Sequence, residues 1–250
     1  MKRNKVWLAL EILAGLALVF FLGTYLWGKW EDKNYLEDQA AFQEDLAQVD
    51  AQLEYLEEKN PHQLAKDRVQ ALKNQYPHVV GIIEIPGTSI AYPILQAEDN
   101  DFYLNHNREG QPHVYGEVFL DYQNDPLFIN ENSVIYGHNN RRTADIFHDL
   151  LKYQDQAFYE GHKEVYIDSL AGHGVYEIIS VFEASPQEPY RVRDFPYNQD
   201  YLAFMETYVA KSQVKTGYGA IENKEARRLI TLSTCHDPKH RLVVMALEKL

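Results

Sequence analysis

Apolar residues follow three textures along the chain. Between Val6 and Gly28 they run almost unbroken, VWLALEILAGLALVFFLGTYLWG. At about 1.5 Å per residue, a helix of that run is long enough to cross a hydrocarbon core of about 30 Å. From Glu31 to Lys59 there is no Pro or Gly, and Phe42, Leu46, Val49, Leu53 and Leu56 recur at 4-3-4-3 spacing among ten acidic residues, which predicts an amphipathic helix. About two heptads is short for a coiled coil, so a helix lying on the following domain or a solvated spacer is expected, with a short coiled-coil stalk as the alternative. Asn60 and Pro61, a capping side chain followed by a residue whose φ already suits the first helical position, open a further helix through about Gln75. Leu64, Val69 and Leu72 are available for its buried side, and Tyr76-Pro77 closes it.

From Val79 onward short apolar runs alternate with turn residues. VVGIIEI, the tight turn Pro86-Gly87-Thr88 and IAYPIL read as two joined strands. Further strands are predicted at 117–122, 132–137, 164–169, 174–184, 228–234 and 241–247, giving seven or eight. Helices fit at Ala144–Leu151 and Tyr201–Val214, the second from the spacing of Leu202, Met205, Tyr208 and Val209. Strands in this number with short helices between them predict a mainly β domain, a closed or nearly closed barrel with peripheral helices. No internal repeat is visible.

Composition adds limits. At 45% hydrophobic and 24% charged, with 13 Gly and 10 Pro, the chain is neither disordered nor collagen-like. The net charge of -13 argues against nucleic-acid partners, which call for a clustered basic face. That charge is uneven. Residues 1–30 hold Lys2, Arg3, Lys5 and Lys29 against Glu11 alone, and the rest of the chain carries 20 basic and 36 acidic residues. A basic N-terminus before the apolar run, with Tyr25, Trp27 and Trp30 as an aromatic belt at its far end, predicts an uncleaved single-pass anchor with the N-terminus inside and the rest outside the cell. Glu11 lies near the inner end, where its carboxylate reaches the interface. A cleaved signal peptide fits less well, because the run exceeds a 7–15-residue apolar region and no small-x-small site follows.

The one cysteine, Cys235, excludes an internal disulfide and any CxxC site. It ends the run LITLST, and the short link HDPKH returns the chain into RLVVMAL, so the thiol stands at the mouth of a hairpin between the polar Thr234, His236 and Asp237. A lone buried cysteine is usually a small apolar filler, but an exposed extracellular thiol in polar company points to reactivity. Its partner must face it across the fold. His236 points to the opposite face of an extended backbone, whereas His138 follows the strand NSVIYG at the start of a loop, where sites are built. Arg241 begins the next strand and can lie beside Cys235 in an antiparallel hairpin, stabilising a thiolate or an oxyanion. A surface ion pair with Asp237 is the plainer role for that arginine. A zinc site of Cys235, His236 and His240 is an alternative that lacks a fourth ligand.

Thr231-Leu232-Ser233-Thr234-Cys235 followed by Arg241 resembles the TLxTC…R signature of sortases, and Tyr136-Gly137-His138-Asn139 resembles their catalytic-histidine segment. Residues 79–107, 116–125 and 146–167, and a helix-bearing connection of about forty residues before LITLSTC, are similar to class B sortases in particular. The likeness covers roughly 60–250. It implies an eight-stranded β-barrel and the organisation 1–5 cytoplasmic tip, 6–28 transmembrane anchor, 29–59 acidic helical stalk or spacer and 60–250 catalytic domain. It further implies a cysteine transpeptidase that cleaves an LPxTG- or NPxTN-type sorting motif after Thr through a thioester and passes the acyl group to an amine. Cys235 would be the nucleophile, His138 the general acid/base and Arg241 the positioning and oxyanion-stabilising residue. Tyr136, Ser233, Thr234 and Tyr190 would line the peptide groove. No cofactor is implied.

The implied partners are a sorting-signal-bearing surface protein with a peptidoglycan amine, or a pilin with a pilin lysine. A hydrolytic cysteine protease would use the same residues. The link from Cys235 to Arg241 is shorter than this class leads one to expect, which bears on groove shape and on the motif read.

Overall fold

A computed structural model of the chain describes residues 5–53, 60–140, 142–218, 227–235 and 240–249, without the side chains of Lys5, Val6 and Cys235. His236 and Asp237, Leu56 with the end of the acidic helix, and the N-terminal tip lie outside the described residues. The chain divides into two compact units after Glu44.

Helix α1 (Lys5–Leu53) is continuous through the positions where the apolar run and the acidic segment adjoin, because no Pro falls there and the single Gly28 lowers helix propensity without breaking the hydrogen-bond ladder. Over residues 7–27 the large apolar side chains of α1, among them Trp7, Leu13, Phe20 and Phe21, are exposed, and among the described residues it is the one helix long and apolar enough to cross a membrane. Trp27 lies 5.2 Å from Trp30 and donates to Glu31 at 2.7 Å.

In the second unit the last turns of α1 follow helix α2 (Pro61–Gln75). Tyr76 Oη donates to Asp45 at 2.7 Å and Arg68 Nε donates to Asp50 at 2.8 Å, with Leu46 and Val49 buried. These last turns of α1, from Asp45 on, therefore lie on the domain. The α2 cap forms as its residues predict: Asn60 accepts from the His62 amide at 3.0 Å with Pro61 behind it. Val69 and Leu72 are buried, and Ala65 takes the third buried place in preference to Leu64.

The β part is a closed barrel. Its strands are β1 (Val79–Glu84), β2 (Ala91–Leu95), β3 (Phe119–Leu120), β4 (Asn132–Gly137), β7 (Glu164–Ser169), β8 (Gly172–Ala184), β9 (Leu229–Cys235) and β10 (Arg241–Glu248). Around the barrel the order is β1-β2-β3-β4-β9-β10-β8-β7. The turn joining β1 and β2 is type II: Pro86 supplies the fixed φ, Gly87 takes φ 80°, and the Thr88 amide donates to the Ile85 carbonyl at 3.2 Å. Two parallel pairings, β2 with β3 and β4 with β9, interrupt an otherwise antiparallel order.

The predicted strand at 117–122 shortens to two paired residues, because the Asp121 carboxylate and carbonyl go to side chains and turns. The helix expected over 144–151 is instead a small hairpin of β5 (Asn139–Asn140) with β6 (Asp145–Ile146), then a 3-10 helix over His148–Gln154 and the helix α3 (Gln156–Gly161). Helix α4 (Asn198–Ala210) ends earlier than Val214 because the Gln213 amide leaves the helix to bond the Val181 carbonyl at 2.7 Å. Its Tyr201, Met205 and Tyr208 pack on Phe182, Val243 and Met245.

Candidate active site

Three strands bring the sequence's candidates to one end of the barrel. β4 and β9 run parallel, and their last paired residues are Gly137 and Thr234. The residues that follow are His138 and Cys235. Across the antiparallel β9–β10 ladder, Cys235 is paired with Arg241. The backbone therefore seats Cys235 between His138 on one flank and Arg241 on the other.

His138 is held from both directions. Its ring Nε2 lies 2.9 Å from the Leu104 carbonyl, contributed by a 3-10 turn over Phe102–Leu104. Its own carbonyl accepts from the Phe147 amide at 3.0 Å. Just before it, a Cβ on Gly137 would stand 2.7 Å from the Phe147 ring, so the absence of a side chain there lets β4 and Phe147 approach. Burial pushes the His138 imidazole below its ordinary pKa. The Leu104 carbonyl opposes that shift, and the Arg241 guanidinium adds to it. With Nε2–H donating to Leu104, the neutral ring keeps Nδ1 as an acceptor.

Beside His138 lies a cleft of about 250 Å³ whose lining includes Asn100, Leu104, Tyr136, Tyr190, Ser233 and Arg241. Ser233 Oγ and Tyr190 Oη are 2.9 Å apart. The segment carrying Tyr190 is pinned to the start of β4, where Asn132 Nδ2 donates to the Val192 carbonyl at 2.8 Å. Tyr136 Oη donates to Asp121 at 2.9 Å, and burial followed by the Asp121 charge drives its pKa far up. Two larger hollows, of about 500 and 470 Å³, adjoin His78 and hold none of the predicted site residues.

Tyr136, Ser233 and Tyr190 thus meet in the cleft with His138 and Arg241. Thr234 does not line it: the residue is buried, one step out of phase with Ser233 along the strand. The cleft also takes in Asn100, Asp101, Leu104, Phe119 and Arg191, which reasoning from residue type did not single out. Asn100 lies within the stretch 79–107 that resembles class B sortases. The Leu104 contribution is a backbone carbonyl and leaves no mark in the sequence.

The closed barrel thus brings the backbone of Cys235 to one end with His138 and Arg241 on its flanks. A Sortase domain model matches residues 83–249, and the chain belongs to the sortase family, the cysteine transpeptidases of cell-wall sorting, and within it to class B. Sortase B of Staphylococcus aureus is 30% identical over 256 residues, covering 98% of each chain. Sortase B of Listeria monocytogenes is 34% identical over 174 residues, 70% of this chain and 69% of that protein. The structure of the Staphylococcus aureus sortase B-substrate complex is similar at a TM-score of 0.77 and 27% identity, covering 88% of this chain and 98% of that one.

Proposed function

We propose that this class B sortase cleaves a C-terminal sorting motif of LPxTG or NPxTN type after its Thr and transfers the acyl group to an amine, attaching surface proteins to peptidoglycan. The observation that carries the reading is the strand register, which sets Cys235 beside Arg241 and one step beyond the Gly137–Thr234 pair that precedes His138. In the first half-reaction the Cys235 proton passes to neutral His138 and the sulfur attacks the Thr carbonyl carbon. Arg241 stabilises the oxyanion; the C–N bond breaks as His138 returns the proton to the leaving amine, and a thioester remains. In the second half-reaction the acceptor amine attacks the thioester, His138 takes the amine proton, and the Cys235 sulfur departs. Tyr136, Ser233 and Tyr190 form the groove side of this scheme.

The exposed apolar helix supports a membrane anchor, and the basic tip supports an N-inside orientation with the barrel outside the cell. Incubating the full chain in detergent with LPxTG- and NPxTN-type peptides, with triglycine, a lysine-bearing peptide or no amine, tests the reading. Mass spectrometry should show amide products that grow at the expense of hydrolysis when amine is added. Hydrolysis that no amine diverts would establish a cysteine protease instead, and preference for the lysine peptide would establish a pilin-polymerising enzyme.

A further inference from the structure

Asp121 follows β3 directly and is 7% exposed; it does not line the cleft but bonds two side chains that do. A carboxylate this buried is tolerated only when donors surround it. Here its Oδ1 accepts from the Gln123 amide at 3.0 Å, and its Oδ2 accepts from both Tyr136 Oη and Asn100 Nδ2 at 2.9 Å. The last two side chains line the cleft from separate segments, the end of β4 and the turn leading to Leu104. Asn100 is fixed at its other end as well, since its Oδ1 accepts from the Tyr122 amide at 3.0 Å.

The chemistry of these bonds sets the polarity of the cleft wall. A carboxylate can only accept, so the Tyr136 hydroxyl proton is committed to it and the hydroxyl oxygen keeps only lone pairs for anything else. The raised pKa of Tyr136 agrees, because the proton is held on the phenol. Asn100 spends one N–H on Asp121 and retains the other.

We propose that Asp121 is a positioning residue for the peptide, orienting Tyr136 as a hydrogen-bond acceptor for a main-chain N–H of the bound sorting peptide. The inference rests on the reading of this cleft as the sortase groove. It assigns Asp121 no contact with substrate and no part in bond making. An amide in its place offers one acceptor oxygen where the carboxylate has two; with that oxygen turned to the Gln123 N–H, its NH2 faces the Tyr136 oxygen and the hydroxyl proton turns to the cleft, where it opposes a substrate N–H.

The test compares Asp121→Asn, Tyr136→Phe and the double variant in the full chain in detergent, measuring kcat and KM for a sorting peptide with triglycine, Tm, and the rate of Cys235 alkylation by iodoacetamide. Each single variant should raise KM about tenfold and change kcat far less, with alkylation unaltered, and the double variant should be no worse than about twofold beyond either single. Independent losses that multiply, or a lower Tm with KM unchanged, would overturn the proposal. If Asp121→Asn does not fold, sorting peptides N-methylated one amide at a time carry the same question. One of them should weaken turnover about tenfold with the unsubstituted enzyme but less than twofold with Tyr136→Phe, and equal losses in both would overturn the assignment. Turnover that survives in Cys235→Ala would remove the underlying reading of the cleft, a result separable from any effect at Asp121.

Discussion

Arg241 is the cross-strand partner of Cys235, the first pair of the β9–β10 ladder, and its guanidinium also lines the cleft that holds His138. One residue is therefore both the cross-strand neighbour of Cys235 and within electrostatic reach of the His138 imidazole.

From that placement, Cys235→Ala is expected to form no acyl-enzyme with a sorting peptide, as read by intact-protein mass spectrometry. Arg241→Ala should retain the thiol yet lower kcat/KM by about 10²–10³-fold, the scale of losing an oxyanion donor. Arg241→Lys should recover only part of that loss, because a point charge does not reproduce the planar fork.

The pKa of His138 provides a separate test. Burial lowers it, the Leu104 carbonyl raises it, and Arg241 lowers it further, so the ring should remain neutral at a pH where a solvent-exposed histidine is already partly protonated. Arg241→Ala removes one lowering influence and should move the His138 titration to higher pH. Following the ring protons by NMR across pH 4–8 (about the range in which histidines titrate) checks the direction. A downward move would mean that the two groups do not interact as the structure indicates.

Gly137→Ala should be destabilising out of proportion to one methyl group. The new Cβ would meet the Phe147 ring at 2.7 Å, and Phe147 closes the backbone contact to the His138 carbonyl. Overpacking of this kind costs about 1–3 kcal/mol. Denaturant melts should show that loss, accompanied by reduced turnover, and Phe147→Leu in the same chain should restore part of both.

Away from the cleft, Asp168 joins three elements: Arg68 of α2 donates to its Oδ2 at 2.5 Å, and His173 of β8 lies 2.6 Å from its Oδ1. The hydrogen bond to Asp168 raises the His173 pKa. A raised folded-state pKa means stabilisation that is complete below the unfolded value and fades as pH rises through the folded one. Asp168→Asn should cost about 1.5–3 kcal/mol, the range for hydrogen bonds to a charged group, and should flatten the pH dependence of Tm on the alkaline side of the ordinary histidine pKa. A variant whose Tm follows the same pH curve would assign that dependence elsewhere.

Local chemistry made the strands and caps legible. Every barrel strand had its alternating or apolar run, the Asn60-Pro61 start formed its cap, and Pro86-Gly87 formed the turn its residues require. The hairpin argument that set Arg241 beside Cys235 needed only strand geometry. What could not be read were consequences of distant pairing. The parallel contact of β4 with β9, which brings His138 to the cysteine, joins segments far apart in the chain and leaves no local trace. The helix expected over 144–151 gave way because tertiary bonds took its first residues: the Tyr92 hydroxyl accepts from the Ile146 amide at 3.0 Å. Asp121 reads as part of a strand, and only the folded chain shows its carboxylate bonded to two side chains that line the cleft.

That distant pairing also governs when the protein becomes competent. Gly137 meets Thr234 97 positions further on, so the β4–β9 ladder has to close a long loop before its hydrogen bonds repay the lost chain entropy. Pairings of such sequence separation form late and slowly. The proposed nucleophile and base consequently sit at the end of the barrel pairing with the largest sequence separation among the described strands. A partly folded chain in which β4 and β9 are not yet paired would carry both residues without bringing them together.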